Sequence, residues 1–209
     1  MLTSRLSRRH MRGWPMRIGG TVMAASLTLA LFGCGTPSYV TDSQASVLLI
    51  LASINGGEVL DSDVRNGTNS DVICPDTVDV DVAVRNKNPN AIAPSVPNAV
   101  LVQRYTVSYF RSDGRAEHGV DVPYPISGAL ASAVDVAESG TITIPIEVVR
   151  RQAKLETPLS AITGFDIVTM FANITLSGET VSRDSVTATG QLQIDFANFG
   201  DSDDSCPGT

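Results

Sequence analysis

Histidine, tryptophan and cysteine are all scarce in this 209-residue chain, with two, one and three copies, and aromatic residues make up only 5 %. The one tryptophan, Trp14, and one of the histidines, His10, lie in the first 33 residues. Beyond them only His118 remains, so a catalytic or metal-binding histidine cluster is excluded. A nucleophile elbow, Gly-x-Ser-x-Gly with a partner histidine, is missing. Gly56-Gly57 lacks the Lys-Ser/Thr that would make it a phosphate loop. Basic residues are few as well: the formal net charge is −7, and a chain without a basic face has no means of gripping phosphates, so nucleic acid is not an expected partner. No enzyme activity is expected from these residues.

The basic residues are also unevenly placed. Arg5, Arg8, Arg9, Arg12 and Arg17 precede any acidic residue, the first being Asp42. The apolar run from Ile18 to Phe32 comes next. It is shorter than the roughly 20 residues a spanning helix needs and is weakened by Gly19, Gly20, Ser26 and Thr28, so it reads as a cleaved export signal. Ser7-Arg8-Arg9 partly matches a twin-arginine signal, but Met11 departs from it and the export route stays open. The run ends in Leu31-Phe32-Gly33-Cys34.

That ending, after a basic segment and an apolar one, resembles the lipobox of bacterial lipoproteins, with Phe32 where the family usually has a smaller residue. The resemblance implies cleavage before Cys34, acylation of its sulfur, and a membrane partner held through the lipid, since two chains anchor stably where one does not. Gly35 after the cysteine fits outer-membrane sorting, so the expected location is the bacterial cell envelope. Cys74 and Cys206 would then be the two thiols left in an oxidising compartment, which reads as a disulfide.

The implied domain plan is a signal peptide over 1–33, a tether over 34–44, a folded domain over 45–200 and an acidic tail over 201–209. "ASVLLILASI" reads as a buried strand and "EVLDSDVRNGTNSD" as a loop. In "TVDVDVAVRN" the residues Val78, Val80, Val82 and Val84 alternate with polar ones, the period of a half-buried strand. "VLVQRYTVSYF" continues the sheet, and "HGVDVPYPI" reads as an edge strand limited by Pro123 and Pro125. "TITIPIEVV", "DIVTMFANITL" and "SVTATGQLQIDFANF" alternate again. Thr157-Pro158 predicts the start of one short helix that Gly164 ends.

Seven or eight such strands predict an all-β, two-sheet immunoglobulin/fibronectin-like sandwich. Its core is expected to hold Val80, Val82, Val84, Tyr105, Val107, Ile144, Ile174, Ile194 and Phe196. "NKNPN" followed by "YTVSYFRSDG" resembles the water-stress or LEA-2 type of fibronectin-like sandwich, which implies a stress-protective module as an alternative function. "RYTVSYFRSDG", "GVDVPYP", "VVRRQAKLETPL" and "FANFGD" are similar to an uncharacterised group of bacterial envelope lipoproteins. The leading expectation is a non-enzymatic binding or structural module whose partner is an envelope protein or a glycan. "NKNPNAIAPSVPN" and "RSDGRAEHG" are its candidate recognition loops.

One metal site is conceivable. A Cys74–Cys206 bond would gather Asp71, Asp76, Asp201, Asp203 and Asp204, and a hard cation such as calcium would suit such a set of oxygens. The other reading is five solvated carboxylates. "DSDVRNGTNSD" is not an EF-hand, since Arg65, Asn66 and Val72 occupy positions five, six and twelve.

Overall fold

Alternating valines set the architecture. The structure, a computed structural model, describes residues 45–65, 73–88, 99–135, 140–199 and 206. The signal peptide, the tether and Cys34 lie outside them, as do Asp71, Asp201, Asp203 and Asp204. Eight strands are described: β1 (Val47–Ile54), β2 (Leu60–Asp63), β3 (Asp76–Asn86), β4 (Val100–Arg111), β5 (Ile126–Val134), β6 (Ile142–Val149), β7 (Val168–Thr180) and β8 (Ser185–Ala197). One sheet has the order β1-β3-β6 and the other β2-β8-β7-β4-β5. Every pairing is antiparallel except β2 with β8.

On β3, Val78, Val80, Val82 and Val84 are all buried while Thr77 and Asp79 are exposed, because a pleated strand sends successive side chains to opposite faces. The nine core residues read from the alternation are all buried. They meet in a single cluster between the sheets, joined by Met170, Leu176, Leu192 and Val148. Among the described residues this is a two-sheet sandwich with one short α-helix.

Four local expectations are corrected. β1 is not buried on both faces: it is the outer strand of its sheet, and Leu48 and Ile50 face outward at 42 % and 37 % exposure. The supposed loop after Gly57 contains β2, whose Leu60–Asp63 lies alongside Ile194–Ala197. The edge strand expected over "HGVDVPYPI" is a turn with one bridge between His118 and Val122, and the edge strand itself, β5, begins after Pro125. The helix is also displaced. It is α1 (Arg151–Leu155), and the cis Thr157–Pro158 peptide leads only into a single 3-10 turn over Leu159–Ala161. Thr157 is no helix cap, because its hydroxyl donates to the Gly119 carbonyl at 2.7 Å.

The two ends of the sandwich differ. At one, β2, β4, β6 and β8 finish and β3, β5 and β7 begin, and α1 packs there. The chain enters β1 at the other end, where Val47 pairs with Asn86.

Candidate functional site

The α1 end is organised around a buried lysine. Lys154 is 2 % exposed, and its Nζ donates to the Asp63 carbonyl at 2.7 Å and to Asp76 Oδ1 at 2.9 Å. Ser62, fully buried, donates from Oγ to the other oxygen, Asp76 Oδ2, at 2.6 Å. Asp63 in turn accepts from the backbone N–H groups of Arg65 and Phe199 at 3.2 Å each. Thus β2, β3, α1 and the segment after β8 meet at one knot of charge. Burial holds the Asp76 carboxyl above its ordinary range even though the Lys154 charge and the hydrogen bonds from Ser62 and Lys154 pull it down. Desolvation outweighs the attraction here, as it commonly does for charges removed from water.

Two residues away lies the covalent tie. Cys74 and Cys206 form a disulfide across a sequence separation of 132, as the even thiol pair implied. Of the five carboxylates considered for calcium, Asp76 is the one among the described residues. The cation it meets is the Lys154 ammonium, and both its oxygens are engaged. Lys154 escaped the sequence reading because "RRQAKLE" shows only a charged segment. Nothing in those letters says that one of its cations turns inward.

Of the candidate recognition loops, residues 89–98 of the first lie outside the described residues. The second is ordered by its own charges: Arg115 contacts Asp113 at 2.8 Å and Asp121 at 3.3 Å. Hydrogen bonds and the Arg115 charge hold the Asp113 carboxyl below its usual range. His118 is exposed and stands beside Tyr124, ring centroids 6.4 Å apart.

A cleft of about 180 Å³ opens between the β4–β5 connection and α1, lined by Tyr124, Pro125, Ile126, Arg150, Gln152 and Glu156 among others. Tyr124 is 58 % exposed, yet its ring lies against the Gly119 backbone so closely that a Cβ there would sit 2.6 Å from Oη. Gln152 Nε2 donates to Glu156 Oε1 at 2.7 Å, and Arg150 Nη2 donates to the Ser127 carbonyl at 3.1 Å. Its polar groups are therefore held in position. A second, wider trough of about 430 Å³ runs where β2 stops short along β8, between Leu51–Ile54, Gly57–Val59 and Gly190–Gln193.

No family model matches the chain, and no curated protein does. Among solved structures, the solution structure of a protein provisionally assigned to the late embryogenesis abundant (LEA) proteins is similar at 10 % identity and a TM-score of 0.39, covering 73 % of this chain and 72 % of that one. A likeness at that level carries no argument about function.

Proposed function

We propose that the chain is a non-catalytic binding module of the bacterial cell envelope, exported and held to the outer membrane by a lipid on Cys34. One observation carries the reading: Cys74 and Cys206 are bonded to each other, which leaves Cys34 as the remaining cysteine of three. It stands where an apolar run ends in Leu-Phe-Gly-Cys. The disulfide is in keeping with an oxidising compartment. The chain enters β1 at the end of the sandwich opposite α1, and the cleft lies at the α1 end.

The test is intact mass and acyl labelling of the protein made in a bacterial host. The wild type is expected to begin at Cys34 and to carry label from a clickable palmitate analogue, and Cys34→Ser to remain full length and unlabelled. A mature chain carrying a free thiol at Cys34 would sink the anchor.

A further inference from the structure

We infer that the cleft beside α1 is a subsite for one neutral N-acetylhexosamine ring of an envelope glycan. Its size sets the first limit: about 180 Å³ lies below the roughly 300–1,000 Å³ of pockets for drug-sized ligands, so it admits one small ring. Tyr124 supplies the platform. An exposed aromatic ring backed on one face loses less entropy on binding than a free one; Tyr124 lies against the Gly119 backbone, on a segment whose backbone Pro123 and Pro125 restrict. Thr157, bonded to the Gly119 carbonyl, ties the platform to the opposite wall. A pyranose offers such a platform its C–H face and turns its hydroxyls to the rim.

The rim has the groups to receive them. Gln152 and Glu156 are joined by one hydrogen bond, which leaves a further N–H and the carbonyl on Gln152 and a second oxygen on Glu156. The Arg150 guanidinium, fixed on Ser127, adds donors. Charge then narrows the class. Arg150, the one Lys or Arg among the lining residues, already shares its charge with Glu147 at 3.8 Å, so an anionic sugar would meet Glu156 with little opposite charge to offset it, and a neutral one meets no such penalty. Ile126 and Pro125 give an apolar patch beside these polar groups, the combination that an acetamido group, with its methyl and its amide, requires.

This inference rests on the binding-module reading but not on the anchor, and the two fail separately. The experiment titrates the full, disulfide-bonded chain with the β-1,4-linked trimer of N-acetylglucosamine, and in parallel with cellotriose, following backbone amides by NMR. Amides of Tyr124, Gln152 and Ala153 are expected to shift and saturate in the millimolar range with the first sugar, and cellotriose to bind about tenfold more weakly. Tyr124→Ala should weaken binding about tenfold or more with an unchanged unfolding midpoint, while Tyr124→Phe retains it. Unmoved amides at about 10 mM trimer, equal binding of cellotriose, or shifts that persist in Tyr124→Ala would each overturn the assignment.

Discussion

A lysine with 2 % of its surface exposed is tolerated only where its ammonium is met by hydrogen-bond acceptors and an opposite charge. Lys154 is met by the Asp63 carbonyl and Asp76. Removing one partner leaves the other charged in a dry place, so Lys154→Met is expected to cost about 3–5 kcal/mol in urea unfolding. The double replacement Lys154→Met with Asp76→Leu should cost far less than the two single changes together, because no charge is then stranded. A purely additive result would show that the pair is not coupled. Proton linkage gives an independent check. Burial raises the Asp76 carboxyl above its ordinary range, so only between the ordinary value and the raised one does the folded state hold a proton that the unfolded chain has released; above both, Asp76 is the carboxylate that faces Lys154. Its contribution to stability is therefore largest below that ordinary value and declines as pH rises through the raised one. The stability difference between wild type and Asp76→Asn should shrink with rising pH across that window; a difference that grows would reverse the assigned direction.

Two strand irregularities create close approaches that regular pairing would not. The register between β3 and β6 slips between Asp76 and Thr77, where one residue on β3 spans two on β6. Val148 is the extra residue on β6, and its carbonyl accepts the buried Tyr109 hydroxyl at 2.5 Å. Burial is the largest influence raising the Tyr109 hydroxyl pKa, so Tyr109 stays a donor throughout the physiological range. Tyr109→Phe orphans that carbonyl and is expected to cost about 1–3 kcal/mol; a loss of a few tenths would mean that water replaces the phenol. Gly178 on β7 marks a second close approach, since a Cβ there would sit 2.4 Å from the Leu101 carbonyl oxygen beside the β4 irregularity. Gly178→Ala should lower the thermal midpoint, and an unchanged midpoint would mean that the two backbones separate at no cost.

These elements also show what the sequence could disclose. Period-two valines and isoleucines declare β3, β6 and β8, because burial on one face dictates every second residue. By contrast, β2 reads Leu-Asp-Ser-Asp, and it is a strand only because β8, more than 130 residues later, offers an edge beside Ile194–Ala197. β5 carries one large apolar residue every fourth position, Ile126, Leu130 and Val134, with Ser, Gly and Ala between them, and Tyr105 packs across Gly128, where a Cβ would sit 2.1 Å from the ring. Small residues chosen by a neighbour's bulk leave no periodic signal. The Cys74–Cys206 bond was legible as an even pair of thiols, whereas the Lys154 ammonium on Asp76 and the cleft depend on where α1 packs.

At the scale of the molecule, the disulfide and the lysine knot fasten the same corner. Among the described residues β2 pairs with β8 alone, through four residues, and its far end is held by Ser62 and Asp63 in the knot. Cys206 returns the segment after β8 to Cys74, just ahead of β3. In the chain-entropy account, closing a loop of this length restrains the unfolded chain by up to about 5 kcal/mol. Replacing both Cys74 and Cys206 by Ala is therefore expected to lower stability by no more than that. Where the loss falls is the sharper question. β4 and β7 are flanked by strands on both sides and lie over the main core, so their amides should keep the slowest hydrogen exchange. The amides of β2 have one neighbour, and the knot that holds them loses its covalent fastening, so they should exchange faster by a larger factor than any in β4 or β7. Uniform acceleration across both sheets would mean that the disulfide acts on global unfolding alone. Selective release of β2 would mean that it also keeps Lys154 and Asp76 enclosed, and with them the α1 wall of the cleft.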